Sequence, residues 1–170
     1  MDPSPAVVAV SELPTVVYIG GAGRSGSTLL DNLLGSSSGW FSTGELRLFW
    51  NARQLWTHRC GCGVALRDCA LWSAVLDDLG PVDLEWAAAM ERRVLRGRQA
   101  WRLLRPDVLG RADDTVAFVD LMARFGRSIA TVTGADVLVD SSKSPVGLGV
   151  WAAAGATVVP VLLVRDPRAV

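Results

Sequence analysis

Lysine is almost missing from this sequence: sixteen of its seventeen basic residues are arginine, which leaves Lys143 alone. Net charge is missing too, seventeen basic side chains against seventeen acidic ones, so no overall field argues for nucleic acid or an anionic membrane as partner. Met1 to Pro14 carries neither a basic leader nor a long apolar run, and no later segment approaches the roughly 18 uninterrupted apolar residues that suggest a membrane helix. Both gaps predict a soluble chain with a flexible stretch over 1–14. Cysteine is scarce and odd in number, three residues between Cys60 and Cys69. That excludes a disulfide framework and favours a reducing, cytoplasmic setting. What remains is ordinary globular material, 170 residues of which half are hydrophobic and a fifth charged, enough for one domain, here 15–170, with a substantial core.

The most informative stretch runs from Val16 to Leu34. A short apolar run rich in β-branched residues, Val16-Val17-Tyr18-Ile19, feeds Gly20-Gly21-Ala22-Gly23-Arg24-Ser25-Gly26, which opens into Ser27-Thr28-Leu29-Leu30-Asp31-Asn32-Leu33-Leu34. The pattern predicts a strand, a phosphate loop and a helix with Leu29, Leu30, Leu33 and Leu34 as its buried stripe. Glycines let successive N–H groups converge, and the helix adds its unpaired N–H groups and positive dipole end, so an anion is expected. Four glycines, an arginine and three hydroxyls within Gly20–Thr28 are too dense for an ordinary tight turn. Gly21 to Thr28 fits the Walker pattern G-x-x-x-x-G-K-[ST], except that Ser27 stands where the lysine belongs. Without the lysine that bridges outer phosphates, the loop suits one phosphate better than a polyphosphate chain.

Further along, Trp40–Thr43 reads as a second strand closed by Gly44, with Glu45 directly after it. At the carboxyl edge of a parallel sheet Glu45 faces a bound ligand; alternatively it favours the dipole of a helix predicted over Leu46–Trp56. Helices are then predicted over Leu71–Leu79, from Leu84 to about Leu104 with Asp83 as cap, and from Asp113 or Asp114 to about Val132. The second carries six arginines between Arg92 and Arg105, a solvated face or a contact for an acidic ligand. Asp136–Val139 reads as a short buried strand, Pro145 opens a helix, and Thr157–Val164 is an almost unbroken apolar strand of the kind found at the centre of a parallel sheet. Strand ends thus deliver Arg24 with its loop, Glu45, Lys143 and Arg165 to one edge. His58, Cys60, Cys62 and Cys69 lie close enough in sequence to suggest tetrahedral zinc, but Cys-Gly-Cys is tighter than usual ligand spacing. Reduced thiols in a small loop, or one local disulfide, are preferred, and no metal is assigned.

At Gly23-Arg24-Ser25-Gly26-Ser27-Thr28-Leu29-Leu30 and again at Leu162-Leu163-Val164-Arg165-Asp166-Pro167-Arg168-Ala169-Val170, the chain resembles sulfotransferases that use 3′-phosphoadenosine 5′-phosphosulfate, in particular the carbohydrate and tyrosylprotein branches and their bacterial relatives. The resemblance implies an α/β three-layer P-loop fold with a central parallel sheet. It implies a donor 5′-phosphosulfate held by Gly23, Arg24, Ser25, Gly26, Ser27 and Thr28, and a 3′-phosphate held by Arg165. The family's partner serine for that phosphate lies beyond Val170, so the chain is expected to be the N-terminal part of such a domain. Catalysis would fall to Glu45 as base, Lys143 at the departing oxygen and Arg24 at the phosphate, with a hydroxyl-bearing acceptor and no metal. Two other readings stay open: a P-loop kinase or nucleotide hydrolase using Asp140 for Mg²⁺, and a non-catalytic nucleotide-binding module. Loops between Leu46 and Asp113, with tryptophans at 50, 56, 72, 86 and 101, are expected to build the acceptor pocket or to fill the core. Acceptor identity and oligomeric state are not legible.

Overall fold

The computed structural model describes residues 13–51, 58–95, 114–166 and 168, so most of the 1–14 segment lies outside the described residues. Four strands form one parallel sheet: β1 (Thr15–Gly21), β2 (Trp40–Gly44), β3 (Val137–Lys143) and β4 (Val158–Leu163), in the order β2-β3-β1-β4. Helix α1 (Ser27–Gly35) links β1 to β2. Between β2 and β3 come α2 (Ala70–Leu79), α3 (Leu84–Val94) and α4 (Asp114–Thr133), and α5 (Pro145–Ala153) links β3 to β4. The fold is therefore α/β, a central parallel sheet flanked by helices, as the sequence predicts.

Period-two alternation divides the sheet into two faces. Val16, Tyr18 and Leu138 join the larger core with α2 to α5, whereas Val17, Ile19 and Val139 pack with Leu30 and Leu34 of α1. Helix α4 buries Phe118, Leu121, Met122, Phe125 and Ile129, residues that recur at helical spacing along one side. Its Phe125 ring sits 4.7 Å from that of Phe49 and 4.8 Å from that of Trp50, tilted contacts within the favourable range for aromatic pairs. Trp50 and Trp151 are almost fully buried. Capping follows the sequence: the Asp83 carboxylate accepts from the Trp86 N–H at 2.9 Å, and Pro145 occupies the first turn of α5.

Three expectations change, and a fourth lies partly outside the described residues. Helix α1 buries Ser27 and Asp31, leaves Leu30 and Leu34 half-buried and exposes Leu29 and Leu33. The reason is steric: a Cβ on Gly35 would lie 2.5 Å from the Ser42 Cβ, so the line of small residues Ser27-Asp31-Gly35 faces the sheet. The helix predicted over Leu46–Trp56 is a 3₁₀ turn at Leu46–Leu48, and 52–57 lies outside the described residues. The helix predicted to about Leu104 is described as far as Val94, and the rest, with Arg96, Arg98, Arg102 and Arg105, also lies outside. Finally, β4 is not central. It pairs with β1 on one side, has no second partner among the described residues, and exposes Val159 and Leu162; an apolar run reports a preference for burial, not a place in the strand order.

Tyr18 shows how tightly the sheet meets α5. Its hydroxyl donates to the Ser144 carbonyl at 2.6 Å, and a Cβ on Gly147 would fall 2.3 Å from that hydroxyl oxygen. Gly147→Ala should therefore cost about 1–3 kcal/mol of stability, the usual penalty of overpacking. Urea unfolding checks this: the midpoint should fall at constant slope, and an unchanged midpoint would contradict the close approach.

Candidate functional site

All four strands point their carboxyl ends the same way, and the ends carry the chemistry. Gly20 of β1 lies beside Lys143 of β3 and Leu162 of β4, while Gly44 of β2 lies beside Asp140. The glycine turn after β1 is left-handed at Arg24 (φ 62°) and at Gly26 (φ 96°), and Gly26 caps α1 without a side-chain bond to its first N–H groups. Nothing would meet a Cβ within 4 Å at Gly23 or Gly26, so the space above the loop is open. Ser27, in the place of the Walker lysine, is buried, and the Ser25 hydroxyl is buried with no hydrogen-bond partner. A concave turn with uncapped N–H groups and an orphan hydroxyl is chemically suited to an anion.

The β2–β3 register shifts between Ser42 and Gly44, opposite Val139 and Asp140, and the β1–β3 register shifts between Asp140 and Lys143. There Lys143 takes a left-handed backbone (φ 66°), rare for a residue with a Cβ and a place where fold and function compete. The turn carries its ammonium to the Glu45 carboxylate, with which it forms a direct ion pair, while Arg47 donates to the other Glu45 oxygen at 2.8 Å. Burial alone would raise the Glu45 pKa, but the two cations prevail and hold it below its ordinary value. Arg165, just past β4, donates to the Arg24 carbonyl at 3.0 Å, so the two motifs meet at the glycine loop. The contact uses the Arg24 carbonyl. Arg168 pairs instead with Asp166 at 2.8 Å.

Beside this edge opens a cleft of about 600 Å³, lined by Thr28 and Asp31 of α1, Glu45, Phe49, Trp72 and the loop from His58 to Cys62. Trp72 is thus both core and wall, and Trp50 is core; Trp86 is partly buried against that core, and Trp56 and Trp101 lie outside the described residues. Asp31 escapes the sequence reading. Its buried carboxylate accepts from the Ser141 hydroxyl at 3.0 Å, and burial pushes its pKa up. The signal was present: Ser27, Asp31 and Gly35 repeat every four residues. Arg47 was missed too, as a residue inside a supposed helix.

Asp140 faces away from α1. One oxygen accepts from the Ser142 N–H and hydroxyl and the other from Trp151 Nε1 at 2.9 Å, so a carboxylate suited by sequence to Mg²⁺ is committed to the core. Burial raises its pKa to about 6. Near it, Glu91 of α3 lines a small cavity with Arg47 and Asp140; it is buried, and desolvation pushes its pKa to about 8 despite Arg47.

The three cysteines come together. Cys60 and Cys69 sulfurs stand 3.5 Å apart, Cys62 and Cys69 sulfurs 3.7 Å apart, and no disulfide joins them.

Compared with family models, with curated proteins and with solved structures, the chain matches none. No described helix is long and apolar enough to cross a membrane.

The buried acids set a pH dependence. Glu91 is neutral in the folded chain up to about pH 8 but ionises near its ordinary value when unfolded, so the unfolded state gains stability as pH rises between the two. Glu91→Gln removes that slope. The variant should match wild type near pH 4 and exceed it by about 3–5 kcal/mol at pH 9, read from chemical unfolding at both pH values. Equal stability at pH 9 would contradict the burial of this carboxyl.

Proposed function

We propose that this chain carries the donor site of a sulfotransferase, which moves a sulfuryl group from 3′-phosphoadenosine 5′-phosphosulfate to an acceptor hydroxyl. The observation that carries the reading is the ion pair between Glu45 and the chain's single lysine, Lys143, at the same sheet edge as a phosphate loop that lacks the Walker lysine. Sulfuryl transfer needs a base at the acceptor and a cation at the departing oxygen, and it needs a cradle for one phosphate. These residue types match that need. The resemblance at Gly23–Leu30 and Leu162–Val170 points the same way.

In this reading the N–H groups of the loop and of Ser27, with the Ser25 and Thr28 hydroxyls, receive the 5′-phosphate, and Arg24 adds charge. Arg165 receives the 3′-phosphate. The acceptor lies in the cleft beside Trp72, with its hydroxyl toward Glu45. Its oxygen attacks sulfur as the bridge bond to the 5′-phosphate breaks; the bond electrons leave on the phosphate oxygen, where Lys143 stabilises them. The acceptor proton passes to Glu45. Donor binding recruits Lys143 away from Glu45, so the carboxylate loses a cation that holds its pKa low and becomes a better base. No step requires a metal. A kinase reading would need Asp140 at Mg²⁺, and both of its oxygens are already engaged.

The test uses donor labelled in the sulfuryl group, offered with alcohols, sugars and tyrosyl peptides. Label should pass to at least one acceptor class. Lys143→Ala should lower kcat by about 10²–10³-fold, and Glu45→Gln by about 10²–10⁴-fold, with the bisphosphate product bound within a few-fold of wild type. Absence of both donor cleavage and transfer under every condition would contradict the proposal.

The recruitment of Lys143 has its own signature. Activity falls in acid as Glu45 is protonated, so the acid limb of kcat/KM, which reports the free protein, should lie at lower pH than the acid limb of kcat, which reports the complex. Coincident limbs would mean that Lys143 stays on Glu45 throughout.

A further inference from the structure

The thiol cluster lies outside the donor chemistry and needs its own explanation. Cys60 and Cys62 belong to a knuckle: Arg59 bridges Ala65, the Cys60 N–H donates to the Val64 carbonyl at 2.8 Å, and the Gly63 N–H donates back to the Cys60 carbonyl at 2.8 Å. Gly63 closes the turn with φ 93°, a conformation suited to glycine. Cys69 arrives from the other side, as the extended residue after the 3₁₀ turn Leu66–Asp68 and the cap of α2. It is buried, whereas Cys62 is exposed, so the cluster has one anchored and one open side.

We propose that Cys60, Cys62 and Cys69 hold a zinc ion whose fourth coordination position opens into the cleft lined by His58. Two observations converge. All three sulfurs lie within 4.8 Å of one another. Tetrahedral zinc with Zn–S near 2.3 Å places its sulfurs about 3.8 Å apart, close to the 3.5 and 3.7 Å found here. A set of soft sulfur ligands selects zinc over magnesium or calcium. The close Cys-Gly-Cys spacing, which counted against a metal in the sequence, is offset by the turn that brings Cys69 across. Zinc here ties the 58–66 knuckle to the start of α2 and so fixes one wall of the cleft, whatever that cleft accepts.

The experiment uses the whole chain, reduced and stripped of metal, titrated with Co²⁺ and then Zn²⁺. One equivalent of cobalt should give the intense ligand-field and sulfur charge-transfer bands of tetrahedral thiolate coordination, and one equivalent of zinc should erase them. Cys62→Ser, at an exposed position, should keep the far-ultraviolet circular dichroism of the wild type and bind zinc at least about 100-fold more weakly. Absence of thiolate bands with all three thiols reduced would overturn the site. Equal reaction of the thiols with Ellman's reagent in the presence and absence of zinc would overturn it as well. So would a Cys62→Ser variant that is fully folded and binds zinc as tightly as wild type.

Discussion

Parallel pairing of β1 between β3 and β4 is the constraint on which the rest depends. Because all four strands run the same way, every strand ends at one edge, and the residues next in sequence after each strand are gathered there. The glycine loop, Glu45, Lys143 and Arg165 are far apart in the chain yet share a neighbourhood for that reason alone. Burial maintains the pairing. Val16 and Tyr18 on one face, and Val17 and Ile19 on the other, are shielded by helices on both sides, which is the condition for a parallel sheet.

The edge is also where the fold departs from ideal geometry. Arg24, in the loop after β1, and Lys143, at the end of β3, are the described non-glycine residues with positive φ. Such conformations cost on the order of 1–3 kcal/mol and persist where surrounding contacts hold them. At Lys143 those contacts include Glu45; at Arg24 they include Arg165. A chain with a single lysine holds it in an unfavourable backbone state against a carboxylate, beside a loop with an orphan hydroxyl. Charge and strain thus concentrate at the same place as the anion-suited turn.

Much of the fold was legible because strands and glycine turns leave strong local signals. Three short apolar runs, and Trp40–Thr43 closed by Gly44, read as the strands, and Asp83 and Pro145 marked two helix starts. The misses share a cause: they depend on what lies across from a residue. Leu29 and Leu33 look like a buried stripe, but close approach of Gly35 to Ser42 turns Asp31 inward instead. Asp140 looks like a metal ligand at a strand end, but pleat and irregularity direct it to Ser142 and Trp151. Glu91, one acid among arginines, gave no sign that it would be buried.

The central claim is a donor site for one phosphosulfate, read by a loop without the Walker lysine. Calorimetric titration with 3′,5′-adenosine bisphosphate beside Mg·ATP, on the wild-type chain and on Arg24→Ala, tests it most directly. Binding of the bisphosphate at one site per chain without magnesium, weakened at least tenfold in the variant (about 1.4 kcal/mol), is the predicted result. Preferential binding of Mg·ATP would contradict the claim and return the site to nucleoside triphosphate chemistry.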